Sequence, residues 1–245
     1  MNLHRLKQSM GIYVDIARPV QWTKHVLIIP GIIAAFLYGD GQSLGLLFRL
    51  VTGCAGACLL ASANYVLNEW VDSAYDRLHP VKCCRPGARG VLNLRIVVAE
   101  YLLLAGCGLI LAALLGRGFL CVSLFFLVNA LFYNLKPFRT KDIPYLDVIT
   151  EALNSPVRVI IGWQIAAGHG LPPLLLLVIF WLGGASSMTI KRLSELRLIH
   201  RHRGHEPARY RTTFHCYTER SLMTLSLVYG VLAALLLLFL YYDQG

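Results

Sequence analysis

Long, uninterrupted runs of apolar residues limit the fold of this 245-residue chain more than any other feature. Only 15% of its residues are charged, whereas a soluble domain has about 25%. Runs of this length inside a bilayer form helices, because the backbone must satisfy its own hydrogen bonds there. We therefore predict an all-α, polytopic membrane bundle, organised as a single domain over residues 1–245. The predicted spans are 25–39, 44–68, 92–115, 118–134, 145–167, 171–190 and 221–242.

The positive charges lie almost entirely on one side of these spans. Twenty of the 23 lysines and arginines fall before the first span or after the second, fourth and sixth spans. The positive-inside rule assigns that side to the cytoplasm, which places the N-terminus inside and, with seven spans, the C-terminus outside. The net charge of +10 thus belongs mainly to one membrane face and does not indicate nucleic-acid binding.

A stripe of oxygen-bearing side chains follows the second predicted span. Asn68, Asp72 and Asp76 are spaced four residues apart, so on a helix they share one face. Such a stripe is costly at membrane depth unless it binds something cationic. Hard oxygen ligands suit Mg²⁺, which usually binds a few carboxylates together with substrate phosphates. The spacing predicts a magnesium site facing the cytoplasm.

Basic side chains follow the stripe directly in HPVKCCRPGARG, residues 79–90. Lys82 and Arg85 are suited to phosphate recognition, Arg as a fork and Lys as a point charge. A loop that only touches anionic lipid would have a similar composition. Because these cations come immediately after the acidic stripe, we favour a role in substrate binding.

A second mixed cluster lies in YNLKPFRTKDIPYLD, residues 133–147, with Tyr133, Arg139, Lys141 and Asp147. Asp147 falls just inside the fifth predicted span, where an unpaired carboxylate would be costly. Arg158 lies deeper in the same span. It is equally compatible with a buried ion pair between helices and with a functional role.

The sixth span ends in KRLSELR, where Lys191 and Glu195 are one helical turn apart. Alone, this is an ordinary i,i+4 pair on an exposed helix. Its position at the same membrane face makes a role in the site an equal alternative. The following run HRHRGHEPARYRTTFH, residues 200–215, lacks regular metal-ligand spacing, and we predict a solvated, lipid-facing loop.

These motifs resemble the UbiA superfamily of intramembrane prenyltransferases. Asn68-x₃-Asp72-x₃-Asp76 followed by Arg85-Pro86-x₃-Gly90 is similar to the first signature of that family, although Glu69 stands where the family commonly has Asp. The segment from Tyr133 to Lys141 is similar to its tyrosine-to-lysine motif. ARPVQWTK (17–24) and DRLHPVKCCRP (76–86) are closest to the decaprenyl-phosphate phosphoribosyltransferase branch.

The resemblance implies a helical bundle around a cavity that binds a Mg²⁺-diphosphate donor and transfers its organic group to an acceptor. In the phosphoribosyltransferase branch the donor is phosphoribosyl diphosphate and the acceptor is a polyprenyl phosphate. Asp72, Asp76 and Lys141 are then the expected catalytic residues, and Asp147 completes the metal site with the stripe. The expected substrate-binding residues are Lys24, Lys82, Arg85, Tyr133, Arg139, Lys191 and Glu195.

Three points remain open at this stage. A basic residue at position 191, where prenyltransferases usually carry a second acidic motif, suits an extra phosphate on the donor. The donor could instead be a prenyl diphosphate with an aromatic or other small acceptor, or the protein could be a non-catalytic or transport protein. Seven spans are two fewer than the usual nine of the family. Either the last two helices are dispensable, or neighbouring subunits of a homo-oligomer complete the cavity wall, or the chain is a truncated or degenerate member.

Overall fold

All the elements found in the computed structural model, which describes residues 11–201 and 210–243, are helical. The all-α prediction is therefore confirmed for this part of the chain. We number the longer helices α1 to α8 in chain order. They are α1 (Ile28–Leu37), α2 (Leu46–Val71), α3 (Leu94–Leu115), α4 (Arg117–Asn134), α5 (Leu146–Ala152), α6 (Asn154–Ala166), α7 (Leu174–Arg201) and α8 (Glu219–Asp243).

Six helical segments in the described residues are long and apolar enough to cross a membrane. They correspond to six of the seven predicted spans. The first is longer than the sequence predicted, since it runs over Gly11–Leu37 and not 25–39. Its early part is irregular: Arg18 has a φ of +50°, and Pro19–Leu27 forms a 3₁₀ helix that leads into α1.

The fifth predicted span, 145–167, is not one continuous helix. It consists of α5 and α6, which are separated at Leu153 and are only 7 and 13 residues long. Pro156 lies in the first turn of α6, where its missing N–H cannot bond back to the carbonyl of Ala152. A break at membrane depth is tolerated where protein surrounds it, and both Ala152 and Pro156 are buried.

Small residues allow the helices to approach closely. The main core joins α2, α3, α4 and α6 around side chains such as Leu60, Ala105, Phe119 and Ile161. The tightest crossing is between α1 and α6, where Gly31 and Gly162 lie against the opposite backbone. Side chains this small are common where membrane helices pack closely.

We expect Gly162→Ala to destabilise the protein by about 1–3 kcal/mol, the usual cost of overpacking. A Cβ atom at Gly162 would lie 1.9 Å from the carbonyl oxygen of Ile28, so α1 and α6 would have to separate. Thermal unfolding of the detergent-purified protein measures the effect. Gly106→Ala on α3 is the matched control, because nothing lies within 4 Å of its Cβ position. Equal melting temperatures for the two variants would contradict this account of the crossing.

The polar clusters meet at one end of the bundle. The C-terminal ends of α2, α4 and α7 and the segment before α5 lie together there, as the contacts of Lys141 with Asp72 and of Arg192 with Tyr133 show. The chain from residue 210 to α8 packs onto α7 in a buried apolar cluster that includes Leu196, Tyr210, Phe214 and Tyr217. The prediction of a solvated, lipid-facing loop is thus wrong for Tyr210, Thr213 and Phe214, which are buried, whereas Thr212 and His215 are exposed. Residues 202–209 lie outside the described part.

Candidate active site

A cavity of about 690 Å³ opens among the polar ends of the helices. Its described lining carries nine cationic side chains against three carboxylates, so its charge is strongly positive. The carboxylates are Asp72, Glu151 and Glu195, and the cations are Arg18, Lys24, Lys82, Arg85, Lys141, Arg158, Lys191, Arg192 and Arg211. A cavity of this kind favours anionic ligands, and phosphate groups above all.

The predicted oxygen stripe lines the cavity along α2, but only in part. Asn64, Asn68 and Asp72 lie on the cavity wall. The helix ends at Val71, and Asp72 is its C-terminal capping residue. Asp76 follows in a separate helical turn and lines an adjoining cavity of about 40 Å³, which it shares with Asp72. The stripe is therefore not carried by one continuous helix, as its spacing had predicted.

Lys141 binds directly to the stripe. Its ammonium group donates to Oδ1 of Asp72 and, over 2.8 Å, to Oδ1 of Asn134. Arg139 contacts the same Asp72 oxygen at 3.5 Å and donates to Asp142 at 2.6 Å. Burial lowers the pKa of Lys141, and the charge of Asp72 opposes that shift. Two of the three ammonium protons are thus used, which leaves one for a ligand in the cavity.

The loop after the stripe lies over the cavity through two ion pairs. Arg85 donates to Oδ2 of Asp76 at 2.7 Å, and Lys82 donates to Oε1 of Glu195. Burial raises the pKa of Asp76, whereas the neighbouring Arg85 lowers it. Nδ1 of His79 accepts the backbone N–H of Lys82 at 3.2 Å and so fixes the turn. Lys82, Arg85 and Glu195 all line the cavity, where the sequence predicted substrate binding.

Glu69, next to the stripe, has a structural position. It is 2% exposed, it pairs with Arg18, and its Oε1 accepts the backbone N–H of Gly87 at 3.1 Å. A Cβ atom at Gly87 would lie 2.6 Å from the backbone oxygen of Glu69. Glu69 thus ties the N-terminal segment and the basic loop to α2, and it does not line the cavity.

Asp147 lies behind the cavity wall. Its carboxylate is completely buried, and it accepts a hydrogen bond from Nε of Arg192 at 2.9 Å and from the hydroxyl of Tyr217 at 2.5 Å. Glu151, one turn further along α5, reaches the cavity in its place. This arrangement does not favour metal binding by Asp147, and we assign it a positioning role toward Arg192.

Tyr133 is held at the cavity wall by two arginines that the sequence analysis did not select. Its hydroxyl accepts hydrogen bonds from Arg192 and Arg211, each at 3.0 Å. Arg192 also lies 3.6 Å from Glu195. Arg192 directly follows Lys191 in a motif that is typical of an exposed helix end. Nothing in that motif indicates that the Arg192 side chain is buried. Arg211 was missed because the basic, histidine-rich composition around it indicated a solvated loop.

Lys191 and Lys24 both line the cavity. Nζ of Lys191 is 3.8 Å from Glu151, and its side chain is 57% exposed. Nζ of Lys24 is 3.5 Å from the hydroxyl of Tyr65, whose ring also lies against the guanidinium of Arg18. All the predicted substrate-binding residues except Arg139 thus lie on the main cavity; Arg139 lines the smaller one.

The oxygen atoms on the cavity wall are few but are of the kind that Mg²⁺ prefers. Residues 11–201 and 210–243 contain no group of three or more His, Cys, Asp or Glu side chains placed to hold a metal ion. Mg²⁺ needs only one or two carboxylates when substrate phosphates complete its shell. Asn68 and Asp72 supply oxygen atoms to the cavity, and Oδ1 of Asn64, one turn earlier, is buried without a hydrogen-bond partner. This set fits Mg²⁺ that arrives with a phosphorylated ligand.

Fold and site together define a helical membrane protein with a cationic cavity at one end of its bundle. A sequence model of the UbiA prenyltransferase family matches residues 27–245, and the chain belongs to that family. The resemblance inferred from the motifs is thereby confirmed.

Relatives with similar sequences include two decaprenyl-phosphate phosphoribosyltransferases. The one from Corynebacterium glutamicum is 31% identical over 206 residues, which are 82% of this chain and 58% of the relative. The one from Mycolicibacterium smegmatis is 29% identical over 214 residues, 87% of this chain and 64% of the relative. The chain therefore spans less than two thirds of the length of these relatives.

The fold is shared with solved structures. A UbiA homologue from Archaeoglobus fulgidus, bound to GPP and Mg²⁺, matches with a TM-score of 0.76 at 18% identity, over 95% of this chain and 78% of the other. A structure of the homologue bound to DMAPP and Mg²⁺ gives a TM-score of 0.75, also at 18% identity. At this identity the likeness establishes the common fold alone.

Proposed function

We propose that this protein is a membrane transferase that uses a Mg²⁺-bound diphosphate donor, with its site on the cytoplasmic side of the cell membrane. The observation that carries the proposal is the cavity itself. Oxygen ligands at the C-terminal end of α2 line the same cavity as nine cations, and this combination suits a magnesium diphosphate. The distribution of positive charge along the sequence supports the cytoplasmic placement. In this proposal the whole chain forms one catalytic domain.

Asn68 and Asp72 would hold the metal ion, with Asp76 as a second carboxylate from the adjoining cavity. Mg²⁺, when bound, would neutralise charge on the diphosphate. Lys141 and Arg85 would donate hydrogen bonds to the departing pyrophosphate, since both have donors to spare after their bonds to Asp72 and Asp76. Donors held in place by partners stabilise a developing charge without reorganising at the moment of reaction.

The reaction is a substitution at carbon. The C–O bond between the organic group and the diphosphate breaks, and pyrophosphate leaves with the electron pair. An oxygen of the acceptor forms the new bond to the same carbon. Tyr133, held by two arginines, and Glu151 on α5 would orient the donor in this step. No strong protein nucleophile is needed when the leaving group is this well stabilised.

The favoured donor is phosphoribosyl diphosphate, with a polyprenyl phosphate as acceptor. The named activity of the two phosphoribosyltransferase relatives supports this choice. So does Lys191, whose exposed side chain adds a cation for an extra donor phosphate. A second candidate is transfer from a prenyl diphosphate, which the GPP and DMAPP bound to the UbiA homologue favour. We propose it as the alternative.

Membranes that contain the protein are offered radiolabelled phosphoribosyl diphosphate and radiolabelled prenyl diphosphate in parallel, with Mg²⁺ or with a chelator. We expect label from the phosphoribosyl donor in the lipid fraction, only with Mg²⁺ and only with a polyprenyl phosphate present. Label from the prenyl donor alone would favour the alternative. Purified protein that is not thermally stabilised by either magnesium diphosphate would contradict both and support a non-catalytic role.

A further inference from the structure

Two cations on the cavity wall differ from the other seven. Each of the seven lies within 4 Å of a carboxylate, whereas Lys24 and Arg158 form no salt bridge among the described residues. The ion pair between helices that the sequence allowed for Arg158 is thus not formed with any residue that the structure describes.

Arg158 is buried, with 8% of its surface exposed. One of its terminal nitrogens donates to the backbone oxygen of Asn154 at 2.8 Å, and its guanidinium lies 5.7 Å from the centre of the Phe126 ring. Its Nε atom is buried without a hydrogen-bond partner. Glu151 attracts Arg158, but it does not lie within the 4 Å of a salt bridge. A buried charge without a direct counter-ion is costly in a membrane, so an intramembrane arginine of this kind marks a ligand site.

Arg158 lies deeper in the bundle than the metal-binding stripe. Phe126, which its guanidinium contacts, precedes Tyr133 by seven residues on α4, or about 10 Å along the helix axis. Tyr65, which contacts Lys24, precedes Asp72 by the same distance on α2. Lys24 and Arg158 interact electrostatically with each other and both with Glu151, so the two cations lie in one region beside that carboxylate. The cavity wall there also carries Val26, Leu27, Ala61, Phe126 and Met188.

We infer that Arg158 and Lys24 form a second anion subsite that binds the phosphate monoester of the lipid acceptor. A phosphate monoester carries a charge of about −1.5 to −2 at neutral pH, and a guanidinium matches its oxygens in pairs. The apolar wall beside the two cations suits the first part of a lipid chain. The distance of about two helical turns from Asp72 and Tyr133 leaves room for the transferred group between the two phosphate sites. This inference rests on the proposed function.

The test measures binding of four probes to the detergent-purified full chain. They are a polyprenyl phosphate, the polyprenol of the same length, phosphoribosyl diphosphate with Mg²⁺, and inorganic phosphate. Arg158→Gln is compared with Arg49→Gln, which removes an arginine from another membrane helix. Arg49 donates to the backbone oxygen of Gln164 at 2.6 Å and does not line the cavity.

We expect Arg158→Gln to weaken binding of the polyprenyl phosphate at least about tenfold, the effect of losing a charge-assisted pair of hydrogen bonds. Binding of the polyprenol and of the magnesium-bound donor should change less than about twofold, and Arg158→Lys should recover part of the loss. Lys24→Gln, at a more exposed position, should weaken the same probe several-fold. It keeps the inference testable if Arg158→Gln fails to fold.

Equal losses for the polyprenyl phosphate and the polyprenol would overturn the subsite, because Arg158 would then act only in packing. A loss confined to phosphoribosyl diphosphate would overturn it in favour of a donor phosphate, and a loss confined to inorganic phosphate would show a site for the free ion. A wild-type protein that binds no magnesium diphosphate but prefers the lipid phosphate through Arg158 would contradict the proposed function and support the subsite.

Discussion

Asp72→Asn should lower the rate of Mg²⁺-dependent transfer at least about a hundredfold and leave the protein folded. The substitution keeps the shape of the side chain and removes its charge. It thereby weakens the proposed metal site and the ion pair with Lys141 together. Asp72 and Glu195 are the two carboxylates that line both the main and the smaller cavity, and of these only Asp72 belongs to the oxygen stripe. Initial rates of label transfer, at equal amounts of membrane-inserted protein, measure the effect.

Two comparisons make this prediction specific. Asp40→Asn changes an exposed acid in the loop after α1, at the other end of α2, and should leave the rate unchanged. Asp76→Asn should lower the rate less than Asp72→Asn, because Asp76 lies only on the smaller cavity and is paired with Arg85. Raising the Mg²⁺ concentration should recover part of the Asp72→Asn rate. A wild-type rate in that variant would exclude Asp72 from the metal site.

The membrane spans could be predicted because their information is local. An apolar run of about 20 residues has to be a helix in a bilayer, whatever its neighbours are. The break at Leu153 was not predicted, since the polar residues beside it, such as Glu151, Asn154 and Ser155, are also compatible with a continuous helix whose polar side faces protein. Pro156 was visible in the sequence. However, the sequence alone does not distinguish a proline in the first turn of a new helix from a proline that kinks a continuous helix.

The site depends on which neighbours pack against each turn of a helix, and sequence spacing does not fix this. Asp147 and Glu151 are four residues apart on α5, so both lie on roughly the same face. The sequence analysis chose Asp147 for the metal site, whereas the packing of α5 against α7 buries that carboxylate and directs Glu151 to the cavity. The contribution of Arg211 is a long-range contact with Tyr133, which lies 78 residues earlier. No local pattern indicates such a contact.

Arg192 contributes both to the positive charge of the cavity and to the packing of the bundle. Its side chain is 2% exposed and contacts Asp147, Tyr133 and Glu195. Asp147 has no exposed surface at all. The pair therefore joins α5 to α7 on the buried side, and Arg192 presents Tyr133 on the side of the cavity.

Arg192→Met is accordingly expected to destabilise the protein by about 3–5 kcal/mol, the usual effect of removing one partner from a buried ion pair. Met fills a similar volume but leaves the carboxylate of Asp147 with less compensation in a dry interior. Thermal unfolding in detergent measures the loss. Arg197→Met is the matched control on the same helix: its pair with Glu219 is about half exposed, and we expect a change of no more than about 1 kcal/mol.

A double variant separates the cost of an unpaired charge from the loss of packing. Asp147→Asn combined with Arg192→Met removes both charges, and the hydroxyl of Tyr217 can still donate to the amide oxygen that replaces the carboxylate. We expect this protein to be more stable than Arg192→Met alone, because the fully buried carboxylate is gone. Arg211, which also pairs with Asp147, is 16% exposed and keeps its hydrogen bond to Tyr133. The loss of unfolding free energy in the double variant could instead equal the sum of the losses in the two single variants. Asp147 and Arg192 would then contribute independently, and apolar packing would hold α5 and α7 together.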